Sequence, residues 1–161
     1  MKNKNQGFTL IELIIVIAVI ALLAAATFVA INPAKRVGDA GDATRWQDLT
    51  ALADAFQAYL ADNNGTLPSS TMTTGVTYML ATTTGGGSTA GCDAAATTTS
   101  AFLVLDTLIT DGYIGQIPED PLYVYSTNGY NSLYWLYRES SGKLKIGSCK
   151  KHGTNYPVVV R

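Results

Sequence analysis

The chain has 161 residues, of which 47 % are hydrophobic and only 14 % charged, with a formal net charge of −1. That length suits one domain with an appendage, and so small a net charge excludes nucleic-acid binding driven by the electrostatics of the whole chain. Two cysteines and one histidine are too few for a zinc cluster and enough for one disulfide.

The apolar excess is concentrated between Phe8 and Ile31. Ahead of it, Met1 to Gly7 is polar, with Lys2 and Lys4 and no acid. Then comes Phe8-Thr9-Leu10-Ile11-Glu12-Leu13, after which Ile14 to Ala26 holds no polar residue and Thr27 is the one interruption before Ile31. As a helix, Phe8 to Ile31 would span about 36 Å, enough to cross a bilayer core of about 30 Å with some tilt. The lysines sit on the short leading side, which the positive-inside rule keeps cytoplasmic, so the remainder is exported. An ordinary signal anchor, a secretory signal peptide cut near Ala24-Ala25-Ala26 and a buried helix of a soluble protein compete for this segment. None of the three accounts for Glu12. A carboxylate among apolar residues costs a few kcal/mol in lipid unless it is paired, which makes it a functional candidate.

Gly7-Phe8-Thr9-Leu10-Ile11-Glu12-Leu13 resembles the processing and methylation motif of type IV prepilins and pseudopilins. The resemblance covers the motif, the apolar helix and, more loosely, the rest. It implies an α+β type IV pilin fold, in which one long N-terminal helix packs on a C-terminal antiparallel β-meander. It also implies roles by position. Gly7 is the residue after which a membrane aspartyl peptidase cuts, and its lack of a Cβ eases approach to the backbone. Phe8 becomes the new, N-methylated amino terminus. Glu12 is the assembly acid, which pairs in the filament with the Phe8 amine of a neighbouring subunit and so rewards only the cleaved form. The bland alternative for Glu12 is a carboxylate that snorkels or takes up a proton.

The organisation that follows is a cleaved leader over 1–7, a transmembrane and polymerisation helix over 8–33, an amphipathic half of the same helix over 34–63, and a globular head over 64–161. In the amphipathic half, Val37, Trp46, Leu49, Leu52, Ala53, Phe56, Tyr59 and Leu60 recur at three- and four-residue intervals, with Lys35, Arg36, Asp39, Asp42, Arg45, Gln47, Asp48 and Asp54 between them. Asn63-Asn64-Gly65 reads as the stop signal. Helix-break candidates are Pro33, which lacks an amide donor, and Gly38 and Gly41, each about 1 kcal/mol worse than Ala in a helix. Family filaments often have a locally melted stretch of this helix; here a melted stretch and a simple bend both fit.

Residues 69–100 are rich in Ser and Thr around Gly85-Gly86-Gly87 and read as a connecting loop, with Val76 to Leu80 as a short strand. Asn64-Gly65-Thr66 fits a sequon and the threonines suit O-linked sugars, although an unmodified loop is the plainer reading. Ala101 to Thr110 reads as a short helix or turn-rich segment packing on the long helix. Asp111-Gly112-Tyr113-Ile114 and Ile117-Pro118-Glu119-Asp120-Pro121 resemble a loop of major pseudopilins that holds calcium. Leu122 stands where that family has Trp, the downstream Gly-x-Pro is absent, and Asp111, Glu119 and Asp120 are few donors for calcium. A rigid two-proline turn with no metal is the reading adopted.

The β-sheet is expected over about 122–161. Tyr123 to Ser126 leads to an Asn128-Gly129 turn, Ser132 to Arg138 alternates, and Glu139-Ser140-Ser141-Gly142 turns into Lys143 to Ile146. Tyr156 to Val160 forms an edge strand, where Pro157 is tolerated. Cys92 and Cys149 are expected to pair in an exported head. No catalytic constellation is visible. His152 stands alone and reads as a solvated loop residue. Lys143, Lys145, Lys150, Lys151 and Arg161 are a solvated face, or in an array of subunits a surface for DNA.

The reading is therefore a structural subunit of a type IV pilus, neither an enzyme nor a cofactor protein. Its expected partners are identical subunits, a prepilin peptidase, and an inner-membrane assembly platform with its ATPase. It resides first in the cytoplasmic (inner) membrane as a single-pass precursor and then in an extracellular filament serving adhesion, motility or DNA uptake. The alternatives are a major pseudopilin of a type II secretion-like system and a monomeric membrane-anchored binding domain.

Overall fold

The structure is a computed structural model that describes residues 7–68, 72–81, 92, 99–122 and 131–161. The chain divides into two compact units, Met1–Val37 and Gly38–Arg161.

In the first unit, α1 (Leu10–Ile31) has no buried residue. Its 22 residues are long and apolar enough to cross a membrane, at about 33 Å. Thr27, the polar interruption, donates its hydroxyl to the carbonyls of Leu23 and Ala24, which satisfies it inside the helix. The helix ends at Asn32, whose backbone is left-handed with φ 47° and ψ 75°. The next helix, α2 (Pro33–Asp62), starts one residue later. The Asn32 side chain accepts from the Lys35 amide at 3.3 Å, so one residue closes the first helix and caps the second. Pro33 therefore loses nothing as the first residue of α2, because first-turn amides have no intrahelical partner. The expected single helix is two, divided at Asn32.

In the second unit, α2 from Gly38 onward buries Gly38, Gly41, Arg45, Leu49, Leu52, Ala53, Ala55, Phe56 and Tyr59. This differs from the expected stripe in three ways. Arg45 is inside, at 0 % exposure, while Trp46 and Val37 are outside, at 48 % and 58 %. Gly38 and Gly41 are helical and buried, and a Cβ at either would overlap the His152 ring or the Leu122 side chain respectively. They admit close packing and do not interrupt the helix. The helix ends at Asp62, followed by Asn64 at φ 53° and Gly65 at φ 80°.

The remaining elements are β1 (Thr77–Ala81), β2 (Thr99–Val104), α3 (Asp106–Thr110), β3 (Asn131–Arg138), β4 (Leu144–Ser148) and β5 (Val158–Val160). They form one five-stranded sheet in the order β2-β1-β3-β4-β5. The strands β3, β4 and β5 are the antiparallel meander, and β1 pairs antiparallel with β3. The sheet begins earlier than expected, because β1 and β2 precede residue 122, and β2 runs parallel to β1. Residues 101–110 are thus half strand and half helix: Phe102, Leu103 and Val104 lie opposite Met79, Leu80 and Ala81, and only Asp106–Thr110 is helical. The Tyr123–Ser126 strand, the Asn128-Gly129 turn and Gly85-Gly86-Gly87 fall outside the described residues.

The sheet has two apolar faces. Tyr78, Leu80, Tyr134, Leu136, Leu144 and Ile146 join Leu49, Leu52 and Phe56 of α2 in the main core. Met79, Leu133 and Cys149 form a second, smaller cluster with Cys92, Phe102 and Trp135 at its edge. Alternation of side chains along each strand produces this split. Cys92 and Cys149 are joined as a disulfide across a separation of 57 residues, a closure that contributes on the order of 4 kcal/mol by the chain-entropy estimate.

Candidate processing and assembly segment

Glu12 is not a bare carboxylate. Its Oε2 accepts from the Thr9 amide at 2.9 Å and the Thr9 hydroxyl at 2.7 Å, and Thr9 Oγ1 accepts in turn from the Glu12 amide at 3.3 Å. This reciprocal arrangement is a capping box. It satisfies amides at the start of α1 that have no intrahelical partner, and it places negative charge against the positive end of the helix dipole. The signal is present in the sequence as Thr-x-x-Glu before an apolar run. Both bonds from Thr9 land on Oε2, which leaves Oε1 for another donor.

The cap also fixes what lies outside the helix. Thr9 is extended, with φ −80° and ψ 152°, and Gly7 and Phe8 precede the first helical residue. Phe8 is 92 % exposed, and nothing lies within 4 Å of a Cβ built on Gly7. The Gly7–Phe8 peptide bond is therefore open, non-helical and free of steric cover among the described residues. Hydrolysis there would leave Phe8 as an ammonium one residue ahead of the cap, with the Glu12 carboxylate in the same first turn.

The second unit carries a polar constellation that the sequence reading did not assemble. Arg45 Nε and Nη2 donate to the two carboxylate oxygens of Asp120 at 2.7 and 2.8 Å, and both side chains are wholly buried. Arg45 Nη1 also reaches Asp42 Oδ1 at 2.6 Å. Burial alone would weaken the charge on the guanidinium, but the two carboxylates outweigh it and hold Arg45 firmly protonated. Asp120, considered above as a calcium donor, has both oxygens committed to this fork.

Asp42 passes the network on to the 150–153 loop, accepting the His152 amide at 3.1 Å and the Gly153 amide at 3.0 Å. His152 is an exposed loop residue, as expected, and its loop is held to α2 through these backbone amides. Burial would raise the Asp42 carboxyl, and the bonds from Gly153, Arg45 and His152 together bring it below the ordinary carboxylate range. Nearly two turns further along α2, Asp48 Oδ2 accepts the Tyr134 hydroxyl at 2.6 Å. Burial and the Asp48 carboxylate both push the Tyr134 phenol up, so it remains a donor. The basic residues are largely engaged within the head: Lys145 pairs with Glu139, Lys151 donates to the Thr154 carbonyl and covers the Tyr156 ring, and Arg161 pairs with Asp54.

Taken by residue type and geometry, this is an α+β protein with an unburied apolar N-terminal helix and a capped acid beside an open peptide bond, the make-up of a membrane-anchored precursor. Residues 2–28 match the family described as the prokaryotic N-terminal methylation motif, the signature of type IV pilin and pseudopilin precursors. That signature belongs to a structural group of prepilin-peptidase substrates. Neither a curated protein nor a solved structure matches the chain.

Proposed function

We propose that this chain is the structural subunit of a type IV pilus, cut after Gly7, methylated at Phe8 and polymerised through α1 with Glu12 as the register-setting acid. The observation that carries the reading is the capped Glu12 beside an open Gly7–Phe8 bond, at the head of a helix with no buried residue. An apolar helix of this length gains little by staying alone once it leaves lipid, and burying it against copies of itself removes that surface from water. Electrostatics then supplies the register. A carboxylate at membrane depth is costly unless paired, and cleavage creates a matching cation on every neighbouring copy. The partners that follow are identical subunits, a prepilin peptidase, and a membrane assembly platform with its ATPase. The protein begins in the cytoplasmic membrane and ends outside the cell.

The test is intact mass followed by assembly. The mature protein is expected to start at N-methylated Phe8. Glu12→Ala is expected to be processed and membrane-inserted yet to yield few filaments. Glu12→Gln, which keeps part of the Thr9 cap but carries no charge, separates capping from pairing. An uncut chain would leave a monomeric membrane-anchored head, and normal filament yield from Glu12→Gln would remove the pairing role.

A further inference from the structure

The end of α2 carries a pattern that neither anchoring nor assembly uses. In Asp62-Asn63-Asn64-Gly65-Thr66, Asn64 has a threonine two residues after it, an acid two residues before it and no proline between. No other asparagine of the chain has Ser or Thr at that position. An Asn-x-Ser/Thr triplet is the acceptor pattern for N-linked sugars. The acid at the earlier position adds a charge that a basic groove of a transferase can hold.

The structure presents this pattern well. Asn64, Gly65 and Thr66 are all exposed, and nothing lies within 4 Å of a Cβ built on Gly65. Asn63 is tied down, its side-chain amide donating to the Tyr59 carbonyl at 3.0 Å. The Asn64 amide, by contrast, makes no hydrogen bond among the described residues. Asp62 is exposed and accepts the Tyr113 hydroxyl on Oδ2, at 2.9 Å, which leaves Oδ1 for a cationic side chain. The turn is closed by Gly65 N–H to Leu60 O at 2.7 Å and Thr66 N–H to Asn63 O at 2.9 Å. Bonds at an exposed helix end are among the cheapest to open, so the strand-like fit of an acceptor into a transferase is within reach. A left-handed residue after a helix favours Gly or Asn for backbone reasons alone. That accounts for Asn64 but for neither Thr66 nor Asp62.

We propose that Asn64 is an acceptor for an N-linked glycan, transferred by a membrane oligosaccharyltransferase that recognises Asp62 and Thr66. The donor class is a polyprenyl-pyrophosphate-linked oligosaccharide. The bond from its anomeric carbon to the Asn64 amide nitrogen forms, and the bond from that carbon to the pyrophosphate oxygen breaks. The electron pair leaves on the pyrophosphate, and the amide proton passes to a carboxylate of the transferase. In the cell this rests on the reading that the head is exported; the assay below does not, so the two can fail separately.

The experiment incubates the purified full-length chain in detergent with a purified acid-requiring oligosaccharyltransferase and its lipid-linked donor, and reads intact mass. The wild type and Thr66→Ser are expected to gain one glycan, and Asn64→Gln and Thr66→Ala none. Asp62→Asn is expected to react about tenfold more slowly, the cost of one modest ion pair. An unmodified wild-type chain alongside a converted control peptide overturns the proposal, and so does a glycan on Asn64→Gln. An undiminished rate for Asp62→Asn overturns the role given to the acid.

Discussion

Removal of the Arg45 guanidinium is the sharpest test of how the head holds together. Arg45→Met keeps the length and much of the volume of the side chain but leaves Asp120 buried, with no cation across from it. Both partners are at 0 % side-chain exposure, so water cannot take over the bonds without opening the core. Losing one partner of such a pair costs about 3–5 kcal/mol, mostly as the desolvated charge left behind. For a unit of this size that corresponds to a fall of roughly 10–20 °C in Tm. The assay is thermal melting of the full-length chain in detergent, followed by near-ultraviolet circular dichroism of the packed aromatics. The double variant Arg45→Met/Asp120→Leu removes both charges and is expected to recover more than half of the loss, because an apolar replacement of a buried pair is often neutral. If Arg45→Met melts within about 3 °C of the wild type, the pair is not sealed from water and the reasoning fails.

Two further perturbations address the same end of α2, and the assembly variants given above complete the set. Gly38→Ala gains helix propensity of about 1 kcal/mol, yet its Cβ would overlap the His152 imidazole. It is expected to lower Tm, and His152→Ala in the same chain to restore it; a Tm above wild type for Gly38→Ala alone would show that the loop yields freely. For pH, the Asp42 carboxyl lies below its ordinary value in the folded state, so its contribution is complete above the unfolded pKa of about 3.9 and disappears as pH falls through the lower folded value. Protection of the His152 and Gly153 amides, measured against the intrinsic exchange rate at each pH, is accordingly expected to hold from neutrality down to about pH 4 and to be lost below it. Protection already lost at pH 6 would mean that Asp42 does not hold the loop.

Much of the molecule was legible in the chain because the signals are local. An apolar run broken only by Thr27 needs no partner to be recognised as long and apolar enough to cross a membrane, and Gly7-Phe8-Thr9-Leu10-Ile11-Glu12 is read from neighbours in sequence. The stop at Asn63-Asn64-Gly65 and the Glu139-Ser140-Ser141-Gly142 turn are backbone preferences of the residues themselves. Even the break at Asn32-Pro33 is a local cap, although its form, one residue serving two helices, emerged only in three dimensions.

The interior of the head was decided otherwise. Arg45 looked like a surface residue because charge normally stays in water. It is inside because Asp120, 75 positions away, supplies the only kind of partner that makes burial tolerable. Gly38 and Gly41 looked like weaknesses of a lone helix, and they are contact points because His152 and Leu122 come down on them. The parallel pairing of β1 with β2 likewise depends on segments distant along the chain. Sequence by itself determined the apolar helix, the methylation motif over residues 2–28 and the Thr9–Glu12 cap pattern, since each rests on short-range chemistry. Tertiary structure alone decided which charges are buried and which glycines are filled, since a desolvation cost has no value until the group that offsets it has been brought alongside.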